Sequence, residues 1–146
     1  MKLPPLVYLL GYAGLIPFLA GPLWLTLAPA TAPAALDRWW LAWAALIAAF
    51  MAGSFWGMAL QVVEGPSGQL GMAMSGALMV LAWAASLLPL RWALPALGVV
   101  FLLLVLAEFW RQRVLDPLSG YLSLRATLTL GVLAAFVWRW LLGGLG

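Results

Sequence analysis

The sequence predicts an all-α fold: a polytopic transmembrane helical bundle of about five spans, in a single domain over residues 1–146. Three observations predict it. Of the residues, 66% are hydrophobic and only 8% charged, against about 45–50% and about 25% in soluble domains. The mean hydropathy is +1.09. The eleven charges also fall between apolar runs whose lengths approach the ~20 residues of a membrane crossing.

Lys2 to Asp37 encloses 34 uncharged residues and holds a first span at 5–28. This run is longer than a signal-peptide core, which favours a retained span. Gly11, Gly14, Pro17, Gly21 and Pro22 crowd it, which predicts a kink. A broken, substrate-binding helix is the alternative, but such breaks come paired in two related halves and no second one is visible. Arg38 to Glu64 encloses 25 residues and Glu64 to Arg91 encloses 26, giving spans at 39–63 and 70–90. Arg91 to Glu108 leaves only 16 and Arg125 to Arg139 only 13, so the spans at 92–112 and 119–142 must take charges into their ends. Lys and Arg heads there lift toward lipid headgroups, among the interfacial indoles of Trp39, Trp40, Trp92, Trp110, Trp138 and Trp140. The turns fall at Pro29 and Pro33, at Gly65-Pro66-Ser67-Gly68, at Pro89 with Arg91, and at Asp116-Pro117, where Asp116 is placed to cap the last helix. Lys2, Arg111, Arg113 and Arg125 then share one side of the membrane, against Arg38, Arg91 and Arg139 on the other, which favours a cytoplasmic N-terminus.

Composition excludes much chemistry. The chain has no cysteine and no histidine, so thiolate nucleophiles, histidine bases and the common zinc and haem ligands are all missing. No HEXXH, GxSxG or dense acidic cluster occurs, and the sequence offers no catalytic residue and no metal site. Met72, Met74 and Met79 read as gap-filling core rather than soft-metal ligands. The net charge of +3 and pI near 10.0 come from seven scattered cations. They form no basic stripe, so anionic lipid is the expected counter-charge and nucleic acid is not.

Three groups of residues stand out. Gly53 and Gly57 lie four apart on the second span, with Ala49 and Gln61 continuing their face. Small residues at that spacing admit a neighbouring helix, inside the bundle by preference or from another subunit, and Gln61 can hydrogen-bond across the contact. Gly71, Ser75, Gly76 and Met79 offer a partner surface on the third span. A polar cluster gathers at one membrane face, where Glu64, Glu108, Arg111 and Arg113 end two spans and Arg125 enters the last. An arginine inside a span needs a partner, and Glu64 or Glu108 supplies it. Finally, Trp43, Trp56 and Trp83, like Trp24, fall within spans, where an indole either fills a helix crossing or lines a groove for lipid, quinone or pigment.

Three stretches carry a resemblance: Gly11-Tyr-Ala-Gly-Leu-Ile-Pro-Phe18, Phe50-Met-Ala-Gly-Ser-Phe-Trp-Gly-Met-Ala-Leu60, and Tyr121-Leu-Ser-Leu-Arg-Ala-Thr-Leu-Thr129 after Asp116. Together they resemble domain-of-unknown-function family 3429, whose bacterial and mitochondrial membrane proteins include relatives of transmembrane protein sixty-nine. The likeness spans nearly the whole chain and implies a small protein of about five spans, without supplying an activity. It implies that Gly14, Pro17, Gly53, Trp56, Gly57, Asp116, Tyr121, Arg125 and Thr129 occupy recurring positions. Relatives often carry a polar residue, commonly histidine, before the Trp-Gly pair. Phe55 stands here, a departure that weakens any metal- or haem-binding role carried over from relatives.

The expected function is therefore a non-enzymatic integral membrane protein, an accessory or assembly subunit of a larger respiratory or photosynthetic complex. A small carrier or channel for a lipophilic or weakly polar solute, gated by the kinked helix and the polar cluster, is the alternative. Its partners are membrane lipids and that larger complex, in a bacterial inner membrane. No cofactor is required, though bound lipid, quinone or pigment suits the helix surfaces.

Overall fold

Hydrocarbon offers backbone amides no partner but each other, and the chain answers with helices. The computed structural model describes residues 5–59, 66–114 and 121–143. They form α1 (Pro5–Ala13), α2 (Leu15–Leu27), a 3-10 turn (Pro29–Thr31), α3 (Leu36–Ala59), α4 (Pro66–Ser86), α5 (Leu90–Val114) and α6 (Tyr121–Leu142), with no strand among the described residues. Among the described residues, four segments are long and apolar enough to cross a membrane: Leu9–Leu27, Gln69–Ser86, Leu90–Trp110 and Ser123–Leu142. α3 has 24 residues and opens on Asp37 and Arg38; at 1.5 Å per residue it is about 36 Å long.

The first apolar run bends at one residue. Gly14 separates α1 from α2 while keeping right-handed angles (φ −64°, ψ −21°), and its N–H reaches both the Leu10 and Gly11 carbonyls, at 3.1 and 3.2 Å. Pro17 follows and cannot donate to the Ala13 carbonyl, so the helix loses a rung at the bend. Pro22 repeats the loss one turn later at the Phe18 carbonyl. That carbonyl instead accepts the indole N–H of Trp40, at 2.9 Å. Trp40, expected at the interface, is 4% exposed, because this vacant acceptor draws it inward. Its ring lies so close to Gly21 that a Cβ there would sit 2.8 Å from the indole. Phe18, Trp40, Phe101 and Phe136 meet edge to face at the centre, with ring centroids from 5.3 to 6.5 Å apart.

α3 packs on α4, α4 on α5 and α5 on α6, and α6 returns to α2, while α3 also touches α2 and α5. The α3–α4 seam is made of small residues. Ala44, Ala48 and Ala52 on α3 are fully buried, facing Gly71, Ser75, Leu78, Ala82 and Ala85, which recur along α4 at alternating steps of four and three. The Ser75 hydroxyl donates to the Ala52 carbonyl across the seam.

This corrects the expectation that Gly53 and Gly57 pack inside the bundle. Both are exposed, and a Cβ on either would meet nothing within 4 Å. α3 carries two small-residue faces with the same four-residue period, and the alanine face holds the internal contact. Gln61 lies outside the described residues. On α4, Gly71 and Ser75 turn inward, whereas Met79 is 49% exposed and Gly76 faces open space.

The turn after α4 comes earlier than the spans at 70–90 and 92–112 would place it. α5 already starts at Leu90, and the Pro89 carbonyl accepts the N–H groups of Trp92 and Ala93, both at 2.8 Å, so Arg91 lies in the first helical turn. The expected cap Asp116 lies outside the described residues. Gly143 ends α6 at φ 75°, a left-handed conformation that glycine adopts without penalty.

Candidate functional site

α6 carries two arginines that the bundle swallows. Arg125 sits in its second turn, 1% exposed, beside Glu108 of α5 at 0%. The Arg125 Nη1 and Glu108 Oε2 atoms are 3.6 Å apart. Arg125 Nη2 donates to the Ser54 hydroxyl at 2.7 Å, and that hydroxyl donates to the Met51 carbonyl at 2.8 Å. One guanidinium therefore joins α6 to α5 and α3. Of the other members of the expected cluster, Glu64 and the Arg111 side chain lie outside the described residues.

At the opposite face Arg139 meets Asp37. Nε and Nη2 donate to the two carboxylate oxygens at 2.8 Å each, and Nη1 donates to the Gly143 carbonyl at 2.7 Å. This fork-to-carboxylate geometry is the strong form of the contact. Sequence reasoning assigned Arg139 to the headgroups and missed the pair. The available signal was that five crossings return Asp37 and Arg139 to one side of the membrane.

Between the kinked α1–α2 rod, α3 and α6 lies a groove of about 530 Å³, lined by Gly14, Trp43, Ile47, Arg125, Leu128 and Thr129 among others. Glycines shape it. Gly11 lets Leu128 approach so that a Cβ there would stand 3.0 Å from its side chain, and Gly131 does the same for Leu15 at 3.0 Å. α6 is thus drawn against the rod both above and below the bend, and the bend leaves a gap. Trp43 crosses the gap, its indole N–H donating to the Gly14 carbonyl at 3.1 Å. Thr129 is 3% exposed, and its hydroxyl has no hydrogen-bond partner among the described residues.

The three in-span tryptophans do not share this groove. Trp43 lines it, whereas Trp56 and Trp83 are 43% and 61% exposed. Trp56 lies thirteen positions after Trp43, which at 100° per residue turns it to nearly the opposite side of α3, and Trp83 belongs to α4, which contributes nothing to the groove. Ser54 and Thr129 are the functional-site residues that sequence reasoning did not single out on their chemistry. Chemically, the groove offers a long apolar wall, one hydroxyl and one internally neutralised ion pair. No group of His, Cys, Asp and Glu suited to a metal occurs among the described residues.

The comparisons with known proteins add no activity. No curated protein and no solved structure matches the chain. The family model described as a protein of unknown function (DUF3429) matches residues 3–141, a stretch that includes both ion pairs, the bend and every wall of the groove, so the chain belongs to the DUF3429 family.

Proposed function

We infer that the protein is a non-enzymatic integral membrane protein, an accessory or assembly subunit of a larger respiratory or photosynthetic complex in a bacterial inner membrane, with its N-terminus in the cytoplasm. The observation that carries this reading is the outer face of α3. Leu46, Phe50, Gly53 and Gly57 recur there at steps of four, three and four, Leu46 and Phe50 being 64% and 71% exposed. Open space stands over both glycines. A helix from another subunit fits such a strip, because small residues admit its backbone and the larger ones flank it. The alanine face already satisfies the bundle, so the glycine strip is surplus to folding.

The test is native electrophoresis of mildly solubilised membranes, following comigration of the tagged chain with a respiratory or photosynthetic complex identified by its own cofactor absorbance. Gly53→Leu/Gly57→Leu is expected to leave the protein folded and detach it from the complex. Migration of the native chain alone, with no cofactor-bearing complex, would refute the reading. The alternative, a carrier for a lipophilic or weakly polar solute, is supported by the groove beside the bent helix. Solute flux in liposomes that is unchanged by Arg125→Ala would remove that site from consideration.

A further inference from the structure

The groove has the segregation of an amphiphile's site. Arg125 and Thr129 lie on successive turns of α6 along one wall, Phe18, Trp43 and Phe50 contribute aromatic rings, and nearly all the rest is aliphatic. Its volume of about 530 Å³ falls among small-ligand pockets, which run from about 300 to 1,000 Å³. Two observations define the head it would take.

The first is Thr129. Threonine in a helix ordinarily returns its hydroxyl to the carbonyl one turn back, as Thr127 does to Ser123 at 2.9 Å and Thr26 to Pro22 at 2.8 Å. Thr129, alone among these three in being buried, makes no such bond. A buried hydroxyl without a partner is costly, and a ligand acceptor would remove that cost. The second is charge. Glu108 already balances Arg125 inside the bundle, so a carboxylate or phosphate brought deep into the groove would be an uncompensated anion in apolar surroundings. A neutral acceptor carries no such penalty.

We propose that the groove binds the neutral carbonyl head of a membrane amphiphile. The Thr129 hydroxyl donates to the carbonyl oxygen, and the hydrocarbon part lies against Gly14, Ile47 and Leu128. The ester carbonyl of a diacyl lipid and the ring carbonyl of a quinone share this chemistry. The proposal does not rest on the accessory-subunit reading: Phe50 borders both surfaces, but the head contact is made by Thr129 of α6, and Gly53 and Gly57 do not line the groove.

The test uses the full chain in nanodiscs of a dialkyl ether phosphatidylcholine, a matrix without carbonyls. Two photoreactive probes are added separately: a decyl benzoquinone with a diazirine in its alkyl chain, and a diacyl phosphatidylcholine with a diazirine in one acyl chain. Crosslinks are mapped by mass spectrometry. One probe or both should label the groove-facing parts of α1, α2 and α6 saturably, and excess unlabelled compound of the same kind should compete. The probe that labels identifies the source. Labelling should fall roughly five- to tenfold in Thr129→Val, which keeps the side-chain shape and loses one hydrogen bond, and persist in Thr129→Ser. Ala13→Trp, at an exposed edge of the groove, should abolish it. Labelling that is absent for both probes, spread evenly over the outer helix faces, or unchanged in Thr129→Val overturns the proposal.

Discussion

Replacing Glu108 by leucine would isolate what the buried ion pair contributes. Glu108 and Arg125 are 0% and 1% exposed and 3.6 Å apart, so Glu108→Leu takes a buried carboxylate away from a guanidinium held in an apolar interior. Breaking such a pair by removing one member costs about 3–5 kcal/mol. Arg125→Leu should cost a similar amount, because it removes the other member of the same buried pair. The double variant removes both charges together, and apolar replacement of a whole buried pair is often close to neutral. Its remaining losses include the Arg125–Ser54 hydrogen bond, worth about 1 kcal/mol. The expected pattern is therefore two damaging single substitutions and a mild double one, with a coupling energy of at least about 2 kcal/mol. Reversible unfolding in mixed micelles by a denaturing detergent, followed by tryptophan fluorescence and circular dichroism, measures all four corners of the cycle. If the double variant is as destabilised as the two single losses added together, the pair is not an energetic unit and the reasoning fails.

Two further outcomes follow from the hydrogen-bond geometry. Trp40→Phe should destabilise the bundle by about 1–3 kcal/mol, since it strands the buried Phe18 carbonyl. In a Pro22→Ala background, where the backbone regains its own donor, the same substitution should cost at least about 1 kcal/mol less; equal costs in both backgrounds would show that the indole does not stand in for the missing amide. Asp37→Asn should cost about 1–2 kcal/mol in the same unfolding assay, between the values for surface and buried pairs, because Asp37 is 35% exposed while Arg139 is 5%. An unchanged unfolding midpoint would mean that Arg139 is held by Gly143 and the headgroups instead.

Much of the architecture could be read from the order of the residues, and the misses share a cause. The bend at Gly14 was legible because Gly11, Gly14, Pro17, Gly21 and Pro22 crowd about three turns. The partnership of Glu108 with Arg125 was legible because a charge within hydrocarbon needs company and few candidates exist. The side of α3 that packs was not, since lipid and protein interior are equally apolar and burial leaves no amphipathic trace. Gly53/Gly57 and Ala44/Ala48/Ala52 repeat with the same period, and only the position of Ser75 on the neighbouring helix distinguishes them. Trp40 was misplaced because its role depends on a carbonyl that Pro22 vacates eighteen residues earlier, a relation between helices that no local window contains. Thr129 was visible as part of a resemblance, but its unanswered hydroxyl appears only when its neighbours are in place.

The two arginines of α6 fasten the last helix at two depths. Arg139 lies fourteen positions after Arg125, about 21 Å along the axis. Sliding α6 by one turn would break both anchors at once, Glu108 below and Asp37 above. The protein therefore holds a nearly fixed hydrophobic height. In a bilayer that is too thin or too thick, the acyl chains compress or stretch around it or the bundle tilts as a body, because both ion pairs resist shear of α6 past its neighbours.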